Sequence, residues 1–167
     1  EQHRLRLVQL MDDVLRQIDA DSTFYFLSDG QTIVFDDYLA VRPEQRTRLW
    51  HAIRSGRLSY GPQYILPDTY LADAESQVRN HIIAVRDAEA WQDHIDPNNL
   101  VIPDFFLDIG YFPDTFGNTA QSPQLLKELG VKYALAGRGF PVDDSGSEFL
   151  WQAADGSQVF THVFAEW

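Results

Sequence analysis

The stretch Gly110-Tyr111-Phe112-Pro113-Asp114-Thr115-Phe116-Gly117-Asn118 places one acidic side chain where a strand stops and a helix has yet to begin. Residues 105–112 are almost wholly aromatic and aliphatic, the composition of a buried strand. Pro113 has no N–H to give to a ladder and ends the strand. Downstream, Ser122-Pro123 reads as an N-cap and first helical position, and Gly130 as the stop. Asp114 therefore sits on a strand-to-helix loop, at the edge of a parallel sheet where α/β folds present ligand-binding and catalytic side chains. An Asp in such a loop also serves as a simple turn cap. From these nine residues both readings stand.

The same alternation extends outward in both directions. Residues 1–19 carry Leu7, Met11, Val14 and Ile18 on one helical stripe with no N-cap in front, which suggests a chain that begins inside a larger protein. A short strand follows at 23–27, bounded by Ser28-Asp29-Gly30, so its edge again carries an acid. Arg42-Pro43-Glu44 starts a helix that Gly56 ends. Residues 58–66 read as a strand closed by Pro67-Asp68, and Asp73 is an N-cap for a helix running through Val78, Ile82, Val85 and Trp91. Residues 93–99 read as a surface loop. After the opening stretch come a helix at 123–129, a strand at 132–136 ending in Gly137-Arg138-Gly139, a loop at 143–147, and two strands flanking Asp155-Gly156, a hairpin signal. Four strand–helix alternations before the hairpin argue for βαβ units and a parallel sheet.

Composition narrows the function. The chain has 167 residues, 44% of them hydrophobic, enough for one domain or a large part of one. Thirteen basic against 25 acidic residues give a net charge of -12, a surface that repels phosphate backbones and anionic lipid, so nucleic acid and membrane are not expected partners. With no apolar run of membrane-spanning length and no leader, the expectation is a cytoplasmic, soluble segment. No cysteine is present, so any metal would be held by carboxylate and imidazole. Aromatic residues, 13% of the chain, offer faces on which sugar rings stack, though cores use them too.

Asp68, Asp114 and Arg138 fall at successive strand ends in this reading. Right-handed crossovers put those ends on one edge, so the three side chains share a cleft. A carboxylate beside a guanidinium stays ionised and oriented, which suits a nucleophile, a metal ligand or a structural ion pair. Asp108 lies within an apolar segment and calls for a structural partner. The five histidines, His3, His51, His81, His94 and His162, have no metal-site spacing, and His162 reads as a satisfied histidine of the last strand.

Gly61-Pro62-Gln63-Tyr64, Pro67-Asp68, Ala74-Glu75-Ser76 with Arg79-Asn80, Gly110 to Gly117, Gly137-Arg138-Gly139 and Glu148-Phe149-Leu150-Trp151 occur in an order that resembles glycoside hydrolase family 38. That family comprises retaining α-mannosidases, and the bacterial branch with mannosylglycerate hydrolases is the most similar. The resemblance implies an α/β fold, an incomplete (β/α)7 barrel with parallel strands. Residues 1–167 would form part of a single catalytic barrel domain, truncated at both ends. It implies Asp114 as the nucleophile and as a ligand of a catalytic divalent metal, usually zinc. It also implies sugar-site roles for Arg138 and Asp68, and an α-mannoside or mannosylglycerate-like substrate. The family's His-x-Asp metal motif, a later metal-binding His and the general acid/base carboxylate are expected outside this chain. Gln63 departs from the family, where Trp is frequent. Two other classes fit the layout: a sugar-binding barrel without turnover, and a metal-dependent carbohydrate deacetylase, whose ligand pairs are not found here.

Overall fold

The structure, a computed structural model, describes residues 2–95, 108–138, 140 and 146–164. Parts of the expected strand at 105–112 and of the loops at 93–99 and 143–147 lie outside these residues. The element order is α1 (Gln2–Ala20), β1 (Phe26–Leu27), α2 (Ile33–Val41), a 3₁₀ turn (Pro43–Gln45), α3 (Arg46–Arg54), β2 (Leu58–Ser59), α4 (Ala74–Ile95), β3 (Ile109–Phe112), α5 (Ser122–Glu128), β4 (Tyr133–Ala136), β5 (Glu148–Gln152) and β6 (Gln158–Val163).

Two sheets result. β1 and β2 pair in parallel, Phe26 opposite Leu58. The second sheet has the order β3-β4-β6-β5, with β3/β4 and β4/β6 parallel and the β5–β6 hairpin antiparallel. Among the described residues these sheets do not close into a barrel, so the observed class is mixed α/β with mostly parallel strands.

Apolar burial accounts for both halves. The α1 stripe buries Val8, Met11, Val14, Leu15 and Ile18 against Phe35 and Tyr38 of α2 and Leu49 and Ile53 of α3. Each such side chain is worth roughly 1.5–3 kcal/mol when fully buried. Trp91 of α4 completes this core, its ring 5.2 Å from Trp50 and 5.7 Å from Phe35. The second core lies on one face of the four-stranded sheet, where Phe112, Ala134, Ala136, Val159 and Val163 pack with Leu126 of α5. Gly110 is needed there, because a Cβ would lie 2.9 Å from the Leu126 and Phe112 side chains.

Several sequence expectations shift. Helix α2 has no counterpart in them: Ile33, Val34 and Phe35 form a contiguous apolar run, and Thr32 in front makes no capping bond but donates to Asp87 at 2.9 Å. The expected strand at 58–66 ends at Ser59, since Gly61 at φ +78 turns the chain and Pro62 offers no donor. The strand at 23–27 is reduced to Phe26–Leu27, and helix α4 runs on to Ile95, three residues into the expected loop. Ser122 is the first residue of α5, not its cap, which is Gln121. Asp73 caps α4 as expected, accepting the Ser76 N–H at 2.7 Å.

Candidate active site

Asp114 and Arg138 leave the chain just beyond the C-terminal ends of the neighbouring parallel strands β3 and β4. The ladder continues past both ends, with Gly137 N–H donating to the Phe112 carbonyl at 2.9 Å and Arg138 N–H to that of Pro113 at 3.1 Å. This brings Arg138 Nε to 3.1 Å from Asp114 Oδ1. The two side chains are 54% and 70% exposed, so solvent screening leaves the pair little stabilising value and its main effect is to orient the carboxylate. The guanidinium also stands 5.6 Å over the centre of the Phe116 ring, itself 67% exposed.

Asp68 is not at a strand end, because β2 stops nine residues earlier. It reaches the same cleft from a long loop, and that loop is tied down. Thr69, 2% exposed, donates to the Gly117 carbonyl at 3.0 Å, and Gln77 of α4 donates to the carbonyls of Thr69 and Ala72 at 3.1 and 3.0 Å. Leu66, Pro67, Asp68, Pro113, Asp114, Thr115 and Phe116 then line a cleft of about 210 Å³. Asp68 Oδ1 is buried with no hydrogen-bond partner among the described residues, a costly state unless a ligand supplies a donor.

Asp29 also belongs to this edge. The sequence marks it as an acid at a strand end, but only the fold shows its neighbours. Partial desolvation pushes its carboxyl above the ordinary range, and the negative charge of Asp114 adds to this, while hydrogen bonds from Gln31 and Tyr111 oppose it. The Gln31 bond is 3.2 Å long. Desolvation and the charges of Asp29 and Asp114 likewise raise the Tyr111 phenol.

The remaining candidates fall elsewhere. Asp108 has the structural partner expected, Lys132 Nζ at 2.8 Å, on the surface rather than within an apolar face. His162 is half-exposed with Nδ1 3.6 Å from Glu148 Oε1. Arg79 pairs with Glu75 at 2.7 Å and lines a separate groove along α4. Gln63 is 8% exposed and lies beside Pro62, His81 and Phe112, so it offers no face to the cleft. Among the described residues no three His, Cys, Asp or Glu side chains are grouped to hold a metal, and no helix is long and apolar enough to cross a membrane. The described residues therefore do not group into a metal site by themselves.

Comparison with known proteins gives the same direction. Residues 1–166 match the family model described as Glycosyl hydrolases family 38 N-terminal domain. A protein of Halalkalibacterium halodurans named "Putative mannosylglycerate hydrolase" is 41% identical, over 100% of this chain and 19% of its own length. Alpha-mannosidase G of Dictyostelium discoideum is 28% identical over 72% of this chain and 10% of its own. The crystal structure of an alpha-mannosidase from Enterococcus faecalis superposes with a TM-score of 0.88 at 39% identity, over 100% of this chain and 18% of that one. The chain thus spans under a fifth of the length of these relatives. On the family match and the 41% identity, the chain belongs to glycosyl hydrolase family 38, through that family's N-terminal domain.

Proposed function

We propose that this chain carries the nucleophile of a retaining α-mannosidase, with Asp114 in that role. The observation that carries the reading is the Asp114 carboxylate, turned into the cleft and held by Arg138 at 3.1 Å. The ionised carboxylate attacks the anomeric carbon of the α-mannoside, and the C1–O bond to the leaving group breaks as the ester to Asp114 forms. A second carboxyl group, outside this chain and about 5–5.5 Å from the first, gives its proton to the leaving oxygen and then takes one from the water that hydrolyses the ester. Arg138 fixes the attacking oxygen in line, and Asp68 and the exposed Phe116 ring serve the sugar as hydrogen-bond acceptor and stacking face.

A divalent metal, zinc by family, would take Asp114 as one ligand and the rest from outside this chain, and would supply Lewis-acid stabilisation of developing charge. The substrate class is an α-mannoside. The name of the Halalkalibacterium halodurans relative points to mannosylglycerate, whose carboxylate needs a cation, and Arg138, beside Asp114, is the motif-linked cation nearest the cleft.

We also read residues 1–167 as part of one catalytic (β/α)7 barrel domain. The register supports this: Ile109, Tyr133, Phe160 and Leu150 form a row on the sheet face away from α5, and the last three are 47%, 43% and 61% exposed. An apolar face of that kind is what further strands of a barrel would bury. The test is covalent labelling of the full-length protein with a 2-fluoro mannosyl inhibitor followed by peptide mapping. The label is expected on Asp114; a label on any other residue overturns the assignment.

A further inference from the structure

We propose that Tyr70 is a stacking face for the leaving-group side of the substrate, a role that rests on Asp114 being the nucleophile and adds a residue that no motif assigns. The ligand it takes is a ring, sugar or aryl, joined to the mannose through the bond that breaks.

Tyr70 is 73% exposed and belongs to neither core, yet the turn that carries it is braced on every side. The N–H groups of Leu71 and Ala72 both donate to the Asp68 carbonyl at 3.0 Å. Thr69 Oγ1 donates to the Gly117 carbonyl at 3.0 Å, and Gln77 Nε2 of α4 donates to the carbonyls of Thr69 and Ala72. The residues before and after Tyr70 are thus tied to the loop that follows Asp114 or to α4. The ring itself leans on Gly117: a Cβ there would lie 3.6 Å from Tyr70 Cδ2 and 3.8 Å from Cγ, ordinary contact distances. Gly117 follows directly on Phe116, whose 67% exposed ring lines the cleft with Asp68 and Asp114. Two exposed aromatic rings, Phe116 and Tyr70, therefore stand at Gly117, beside the cleft and close in the chain to Asp114.

A tyrosine ring has few torsions to fix, so a face presented on a braced turn binds at little entropic cost. It offers a flat apolar surface while its hydroxyl stays in water. A mannosidase holds one mannose ring at its nucleophile, and Asp68 and Phe116 serve that ring. The second exposed face beside the same loop falls to the group to which the mannose is joined. Tyr70 takes no part in bond breaking. It holds the ground state and the transition state alike, and so acts on KM rather than kcat.

The test uses the full-length protein and two substrates, an aryl α-mannoside, whose leaving group is a ring, and α-mannosyl fluoride, whose leaving group is not. Tyr70→Ala is expected to raise KM for the aryl mannoside about fivefold with kcat little changed, and to move the fluoride KM by less than about twofold. Tyr70→Phe keeps the ring and is expected to restore the aryl KM to within about twofold of the wild type. An unchanged aryl KM in Tyr70→Ala, an equal rise for both substrates, or a clearly lowered thermal midpoint overturns the assignment. Asp114→Asn, assayed beside these variants, tests the nucleophile separately. Normal turnover there removes Asp114 and this role with it, whereas an inactive Asp114→Asn beside an unselective Tyr70→Ala removes the role of Tyr70 alone.

Discussion

Arg138 meets Asp114 across the ends of two adjacent parallel strands, Nε to Oδ1 at 3.1 Å, with both side chains in reach of water. Their backbones are fixed by the two hydrogen bonds that continue the ladder, so the side chains need only local rotamer choices to meet. So exposed a pair orients the Asp114 carboxylate more than it stabilises the fold.

Arg138→Ala is accordingly expected to cost about 1 kcal/mol of stability or less. If Asp114 is the nucleophile proposed above, it should lower kcat/KM for an aryl α-mannoside by about a hundredfold, by freeing that carboxylate. Arg138→Lys keeps the charge but loses the planar guanidinium that also covers Phe116, and should recover only part of the rate. Kinetics and thermal midpoints on the same preparations check this. A large loss of stability in Arg138→Ala would make the pair structural.

His81 gives a pH prediction. It is 6% exposed, and burial pushes its imidazole below the ordinary 6.5, the Leu129 carbonyl offsetting part of that. The unfolded state therefore binds its proton first. The neutral ring costs nothing above the unfolded pKa, and stability falls as pH drops below about 6.5 toward the folded pKa. Asp36 and Asp87, both raised chiefly by burial, act in the opposite sense, because the folded state takes up their protons more readily as pH falls. The contribution of His81 is isolated by comparing the wild type with His81→Gln in denaturant titrations at about pH 7 and about pH 5. The wild type should lose more stability than the variant on acidification; equal losses would mean that His81 is solvated in the folded state.

The uneven success of sequence reasoning has physical causes. Asp114 and Arg138 were placed correctly because a strand that ends in proline or glycine locates the next side chain within a residue or two. Asp68 was placed in the right cleft for the wrong reason. Gly61 and Pro62 break the expected strand, and the loop reaches the cleft through Thr69 and Gln77, contacts of long range that local patterning does not encode. Helix α2 was missed because its start has no side-chain cap and its first residues are β-branched or aromatic, features that also suit a strand. Asp29 was visible as an acid at a strand end, but its neighbour Tyr111 arrives from another sheet.

The metal expectation is tested by comparing two preparations. The 167-residue chain expressed alone should neither retain zinc in equilibrium dialysis nor hydrolyse aryl α-mannosides, since Asp114 is the one expected ligand it carries. The full-length protein should lose activity on chelation and regain it with a divalent ion. Turnover by the chain alone would show that ligands and acid are present within it.

Gly30 and Gly56 offer a matched pair with which to test the approach of β1 to β3. Both have positive φ, +67 and +74. An alanine at either position pays the left-handed strain, roughly 1–2 kcal/mol. A Cβ at Gly56 meets nothing within 4 Å, whereas one at Gly30 runs into Tyr111 at 2.8 Å. Gly30→Ala is therefore expected to exceed Gly56→Ala by the overpacking cost, roughly 1–3 kcal/mol, because the ring must move away. Denaturant midpoints for the two variants decide it: equal destabilisation would show that the loop after β1 does not close on Tyr111 of β3 as described.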